Sequence, residues 1–381
     1  MENPSKEFEN YQRQWFIKKD KKLLRKRDKK QFRCISIRWK TIIFHNMKIE
    51  IPRRYYKDLA TGKYVCLLDE YLKIKNHQHI AKLDIQKICK MVAKKKMTFS
   101  QATETYENSI SVSTVHRLIK NHKINFKVNF NTKPSMHKII YINIDDAYRT
   151  LKVGNNWVKC QFKVIQIYQQ YFKKQRFFLN QIKAVFINKN KMGSYKSTML
   201  AVDKIKGILA KYYGNLSNYR IIVCGDGARN LKLIAENLGA EFCLDKFHLY
   251  NKIYFVLKTQ AFKKIDFIFK NCTDSKYKKN YLRNQIIKML EDGKIRQVIQ
   301  KLIDIKNNFD IHSSDLNKLI NYMQNNLEAI EFWSDPVYCW TFTETFVQQL
   351  VKSYFGNVGK WYSLNSFMNI LRANCLVNFL N

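Results

Sequence analysis

Hydrophobic periodicity along the chain changes character twice. Met47-Lys-Ile-Glu-Ile-Pro-Arg-Arg-Tyr-Tyr56 alternates apolar and polar positions, Thr61-Gly62 punctuates a turn, and Lys63-Tyr-Val-Cys-Leu-Leu68 returns. Residues 36–75 are therefore expected to form a β-hairpin region. From 80 to 122 the period becomes helical, with Ile85, Ile88, Cys89 and Val92 on one face. A second short helix is expected over Thr98–Tyr106 with Ser100 as N-cap, and a third over Ser111–Ile119. After residue 136 the pattern turns to apolar runs. His137 to Asp145 reads as a strand closed by a carboxylate, and Lys159–Phe172 and Gln175–Asn188 as two more. Ser197–Tyr213 reads as a helix and Tyr219–Gly225 as a strand; a short helix and the strand opening at Glu241 follow. Residues 249–330 are helical and Lys-rich, and Thr341–Tyr354 is expected to be a last helix.

The order strand, strand, strand, helix, strand, helix, strand is the start of a ribonuclease-H-like α/β core. The expected organisation is a basic arm over 1–35, the β-hairpin region over 36–75, and a helix-turn-helix DNA-binding domain over 76–130. The α/β core follows over 136–248, then a helical insertion over 249–330 and the end of the core, with its last catalytic helix, over 331–381.

Charge narrows the function. The chain has 381 residues, 69 Lys+Arg against 30 Asp+Glu, a net charge of +39, and 46% hydrophobic residues. That apolar content suits a packed core, so the chain is not a disordered basic tail. A polyanion is the natural partner, since each neutralised phosphate releases condensed counterions. Lys, Asn and Ile richness inflates the basic count, which tempers the inference. No apolar run is long enough to span a bilayer and there is no secretory leader pattern, which points to the cytoplasm and the nucleoid. The nine cysteines form no Cys-x-x-Cys pair, which argues against a zinc knuckle and a disulfide framework.

Three carboxylates are candidates for two-metal phosphoryl transfer, which needs hard oxygen ligands from separate elements. Asp145 closes an apolar strand; Asp146 next to it would face the other way, as a turn residue or helix cap. Asp226 sits between Gly225 and Gly227, which permit a tight turn; its alternative is a cap for the helix beginning near Ala228. Glu344 lies beside a stripe that includes Phe346, Val347, Leu350 and Val351. Its alternative is a capping box with Thr341, and Glu331 and Asp335 are rivals. Asp245 and His248 form an Asp-x-x-His pair; His248 would touch phosphate or orient a catalytic group, or the pair simply satisfies buried polar groups. In the expected helix-turn-helix, Ser111, Ser113, Thr114, Arg117 and Lys120 are the candidates to contact DNA; an ordinary helical hairpin is the alternative.

Gly225-Asp-Gly-Ala228 followed by Leu244-Asp-Lys-Phe-His-Leu249 resembles the signature of ISLre-type insertion-sequence transposases, a group also described as an uncharacterised protein family. Similar segments include Ile51-Pro-Arg-Arg-Tyr-Tyr-Lys57, Thr61-Gly-Lys-Tyr-Val65, Leu68-Asp-Glu-Tyr71, Ser100-Gln-Ala-Thr103 and Tyr141-Ile-Asn-Ile-Asp145. The resemblance extends to Mutator-like DDE transposases, which implies a helical insertion before the last acidic residue. It implies Asp145, Asp226 and Glu344 as ligands of Mg²⁺, with Mn²⁺ able to substitute, and DNA ends and target DNA as substrates. It also implies a homodimer or larger assembly on DNA. Cys339-Trp-Thr-Phe-Thr-Glu344 resembles the family's Gly-Cys-Ser-x-Glu segment, but Tyr338 stands near the expected glycine. The following Arg-Pro-x-x-Trp element is represented only by Asn357-Val-Gly-Lys-Trp361. These departures, with the abrupt apolar end at Asn381, leave a decayed or truncated copy as the alternative: an inactive DNA-binding protein. Another ribonuclease-H-like nuclease and a basic RNA-binding protein are further alternatives.

Overall fold

The computed structural model describes residues 4–75, 78–122, 128, 138–188, 195–259, 262, 281–309, 313–339, 342–355 and 362–380. The chain forms two compact units: Met1–Phe126 with Tyr362–Asn374, and Lys127–Trp361 with Cys375–Asn381. No helix among the described residues is long and apolar enough to cross a membrane. The eight described cysteines are free thiols; Cys272 lies outside the described residues.

The first unit begins with helix α1 (Pro4–Lys26), strands β1 (Phe32–Phe44), β2 (Met47–Asp58) and β3 (Tyr64–Val65), and helix α2 (Leu67–Leu72). The basic arm is thus largely a docked helix. Phe16 on α1 is fully buried among Ile42, Ile49, Ile51 and Leu68, and Asp20 pairs with Arg54 on β2. The hairpin differs from the sequence expectation. The main partner of β2 is β1, joined through His45 and Asn46, which both have positive φ, as a tight two-residue hairpin turn requires. The expected return strand contributes only Tyr64–Val65, and Leu67–Leu72 is helical. Residues 36–44 of β1 fall within the expected β-hairpin region, but the alternating Ile35, Ile37 and Trp39 lie on its exposed face, while Lys40 and Ile42 on the other face are buried.

Three helices follow: α3 (Lys82–Lys95), α4 (Phe99–Glu104) and α5 (Val112–Asn121). The N-cap of α4 is Thr98, in a capping box with Gln101, rather than Ser100. Thr98 and Ser100 are both good cap residues, and only geometry selects between them. Asp84, in the first turn of α3, accepts the backbone N–H groups of His45 (3.0 Å) and Asn46 (3.1 Å) and the hydroxyl of Tyr106 (3.1 Å). One buried carboxylate therefore joins the hairpin turn, α3 and the end of α4. The helix Leu364–Arg372 belongs to this unit as well. Its Asn369 side chain donates to the carbonyls of Ile119 (2.9 Å) and Lys120 (2.8 Å), which end α5 without intrahelical partners.

The second unit is built on β4 (Ile139–Val153), β5 (Asn156–Tyr168), the short β6 (Gln170–Phe172) and β7 (Phe177–Leu179), and β8 (Ile182–Asn188). Then come α6 (Tyr195–Tyr213), β9 (Arg220–Gly225), α7 (Arg229–Leu238) and β10 (Glu241–Leu244). The helices α8 (Lys246–Leu257), α9 (Tyr281–Glu291), α10 (Ile295–Asn308), α11 (Ser314–Asn325), α12 (Leu327–Glu331) and α13 (Thr343–Leu350) follow, and β11 (Leu376–Phe379) closes the chain. The six-stranded mixed sheet has the order β10-β9-β4-β5-β8-β11. β4, β5 and β8 are antiparallel neighbours, while β9 runs parallel to β4, β10 to β9 and β11 to β8.

Alternation along β4 sends Ile140, Ile142 and Ile144 to a core shared with α6 and α7, and Tyr141 to a core shared with α8 to α12. The helices α8 to α12 therefore form a layer on one sheet face. Two boundaries depart from expectation. β4 does not end at Asp145; it runs eight residues further, paired only with β5, because β9 stops pairing at Asn143. The apolar run ends where the strand loses a neighbour, not where it ends. The expected last helix is the shorter α13, and neither Leu364–Arg372 nor β11 was anticipated; Thr341 lies outside the described residues.

Replacing Asp84 with Ala strands three donors at once and is expected to destabilise the first unit by about 3 kcal/mol; Asp84→Asn, which keeps one acceptor oxygen, costs less. Denaturant unfolding of the full chain measures both.

Candidate functional site

Asn143 on β4 stands opposite Cys224 on β9 in the last pair of the two parallel strands. Asp145 lies two residues further along β4, and Asp226 follows directly on Gly225, where β9 ends. The backbones are still close there, since a Cβ on Gly225 would lie 3.1 Å from the carbonyl oxygen of Ile144 and would strike Leu231 of α7. Asp145 is 7% exposed and Asp226 half-buried. Burial pushes the Asp145 carboxyl above its usual range; nearby Asp226 pushes it further up, and His248 works against both.

His248 enters from the first turn of α8. Its Nε2 lies 3.8 Å from Asp145 Oδ2 and 3.8 Å from Asp245 Oδ2. That is ion-pair range and too long for a hydrogen bond, and Nε2 has no hydrogen-bond partner. Burial opposes the imidazolium, but Asp145, then Asp245 and Asp226, outweigh it and raise the His248 pKa. Asp245 is 1% exposed and caps α8, with Oδ1 accepting the Phe247 N–H at 2.9 Å. Its Oδ2 accepts the hydroxyl of Thr343, the first residue of α13. The Asp-x-x-His pair thus divides its work: Asp245 fixes two helix starts and His248 faces the buried carboxylate.

Asp226 does not cap α7. Its Oδ1 accepts the Ala228 N–H at 3.0 Å, but Ala228 is itself the N-cap residue and makes no side-chain cap. The turn around it is held by the helical layer. Tyr322 on α11 donates its hydroxyl to the Asp226 carbonyl at 2.6 Å. Gly227 has φ +78°, and a Cβ there would lie 2.7 Å from Asn326 Oδ1 and 2.9 Å from Leu244 Cδ1. Asp146 is no turn residue or cap. It sits inside β4, where Lys163 and the Gln161 amide of β5 each reach it at 2.8 Å.

Glu344 lies on α13, which packs against β4 and β5. Its Oε1 accepts from Lys352 at 2.8 Å, and the residue is half-buried. The N-cap of α13 is Phe342, without a side-chain cap, so Glu344 is tied to Lys352. The rivals Glu331 and Asp335 are paired with Arg296 and Arg220. Among the described residues, no three His, Cys, Asp or Glu side chains converge closely enough to enclose an ion. On α5, Ser111 is the N-cap and its hydroxyl is shared with Ser113, Thr114 and the Thr114 N–H. Ser113, Arg117 and Lys120 are exposed, while Val115 and Ile119 are buried. Sequence reasoning missed Tyr322 and Thr343, whose partners Asp226 and Asp245 lie 96 and 98 residues away, and Asn326, which packs beside Gly227; no local pattern marks them.

These features define a mixed α/β protein that gathers two aspartates and a histidine where the parallel part of its sheet ends. The chain belongs to the uncharacterised protein family UPF0236, whose profile matches residues 13–335. Three UPF0236 proteins of Caldanaerobacter subterraneus subsp. tengcongensis are similar to it, at 25%, 24% and 24% identity over 75% of this chain. Their names join eleven, four and two loci, so that genome carries many copies. The chain spans just over half the length of these relatives, 56%, 56% and 53%.

Gly227→Ala imposes both a strained backbone and a collision with Asn326 and is expected to cost about 3 kcal/mol, read by denaturant unfolding. The raised His248 pKa carries a definite sign. The folded chain holds that proton more tightly than the unfolded chain, so the stabilisation is full below pH 6.5 and disappears as pH rises through the folded-state value. His248→Asn is therefore expected to lose more stability below pH 6.5 than well above it; equal losses across a pH series of unfolding curves would count against the ion-pair account.

Proposed function

We propose that this protein is a DDE-type transposase of an insertion sequence, acting on DNA ends. The observation that carries the reading is the placement of Asp145 on β4 and of Asp226 just past the end of its parallel neighbour β9, with a histidine beside Asp145. The order from β4 to β10, with three long antiparallel strands before the two strand–helix units, supports a ribonuclease-H-like core. The many copies of its relatives in one genome support a mobile element, and the net charge of +39 supports a nucleic-acid partner.

The donor chemistry suits a hard divalent ion, Mg²⁺ or Mn²⁺. A buried carboxylate beside a second one is stabilised by a cation, and such ions accept one or two carboxylates with waters and phosphates completing the shell. Asp145 and Asp226 would hold it, and Glu344 would join on leaving Lys352. A bound ion supplies charge stabilisation at the phosphate and a more acidic water. His248 lowers the cost of ionising Asp145. The Tyr322 hydroxyl and Gly227 fix the Asp226 loop, and Thr343 fixes the start of the helix that carries Glu344. Ser113, Arg117 and Lys120 on the exposed side of α5 would contact the element end, with a dimer or larger assembly pairing two ends.

A second reading follows from the Glu344–Lys352 pair: a catalytically silent copy that binds DNA and does not cut it. A labelled duplex carrying the element end separates the two. Metal-dependent nicking by the wild type, reduced at least about a hundredfold in Asp226→Ala with binding retained, is the outcome expected of the transposase. Binding without nicking in either protein assigns the silent copy.

A further inference from the structure

A cavity of about 710 Å³ opens on the sheet face that carries Asp145, within the usual size range of ligand pockets. Its walls include Tyr141, Tyr171, Tyr338 and Phe342, with Gln170 and Lys173 as polar members. Tyr171 and Phe342 pack ring to ring at 4.5 Å, and both rest on Phe178. Tyr141 is fixed by donating to the Val337 carbonyl at 2.6 Å. The aromatic walls are thus braced before anything binds. No carboxylate lines the cavity among the described residues, and the one cation, Lys173, is exposed. Gln170 carries a buried Oε1 with no hydrogen-bond partner. Aromatic walls, an unsatisfied amide acceptor and a cation at the surface match a flat heterocycle that bears N–H donors and is joined to a phosphate.

Position strengthens the match. Tyr141 and Asp145 are four residues apart on one face of β4, roughly 13 Å along the strand. Between them lie the buried Asn143 and Gln166, bonded to each other at 3.1 Å, each with one further buried polar atom left without a partner. The positions between Asp145 and the cavity are therefore polar, and the interval equals about four base-pair steps.

We propose that this cavity receives an unpaired nucleobase from a single-stranded stretch of DNA held at the aspartates. The proposal rests on the reading of that site as one acting on DNA. The base stacks on Tyr171, Gln170 accepts a hydrogen bond from its edge, and Lys173 meets the adjoining phosphate.

Binding of a short labelled oligothymidylate to the full chain is compared with binding of the same backbone lacking its bases. The wild type is expected to prefer the oligothymidylate by at least about fivefold, the lower end of the effect of one stacked base. Tyr171→Ala is expected to erase that preference and leave affinity for the abasic strand unchanged. Equal affinity of the wild type for both strands, or a preference that survives in Tyr171→Ala, overturns the proposal. Because Tyr171 also braces its neighbours, a second measurement uses the wild type alone. Photocrosslinking of an oligonucleotide containing 5-iodouracil is expected to mark Tyr171, Tyr338 or Phe342, and crosslinks confined to other residues overturn it. A base preference without metal-dependent nicking keeps the cavity and removes the transposase reading; nicking without a base preference does the reverse.

Discussion

The second unit is organised around the cost of one buried negative charge. Asp145 sits on a central strand, and apolar surroundings favour its neutral form. Removing such a charge from water requires compensation, which comes from an imidazole 3.8 Å away. That imidazole stays in place because Asp245 caps α8, and Asp245 is itself held by the Thr343 hydroxyl. The strand, the helix that follows β10 and the helix that carries Glu344 thus meet around one carboxylate. A buried charge tolerated in this way is weak evidence for stability and stronger evidence for a functional site.

The helical layer has a part in this beyond covering the sheet. It places Tyr322 and Asn326 against the turn that presents Asp226, and that turn accepts only glycine at position 227. The loop bearing the second aspartate is therefore held in place by the helical layer. Glu344 contrasts with both aspartates in its ion pair with Lys352.

The first unit follows the same economy of polar groups. Asp84 satisfies the hairpin turn and Tyr106, while Asn369 satisfies the end of α5 from a distance of about 250 residues. With Val115 and Ile119 buried and Ser113, Arg117 and Lys120 outward, α5 presents one polar, basic face.

The sequence by itself determined the elements whose signals are local. Apolar runs of four residues marked β4 (Ile139–Ile142), β8 (Ala184–Ile187) and β9 (Ile221–Cys224), and apolar–polar alternation marked β5; the 3.6-residue period marked α3 and α6; and the glycines on either side of Asp226 marked its turn. The resemblance carried by Gly225–Ala228 and Leu244–Leu249 pointed to an uncharacterised protein family, and the chain belongs to UPF0236; those residues form two short segments, each legible along the chain. Tertiary structure alone decided what depends on pairing across distance. It extended β4 past Asp145, because a strand's end is set by its neighbours and not by its own hydrophobicity. It made β1 the partner of β2 despite its exposed apolar residues. It turned Asp245 into a cap, set His248 opposite Asp145 and gave Glu344 to Lys352. Charged and polar side chains have many possible partners in one sequence, and only the packed backbone reduces them to one.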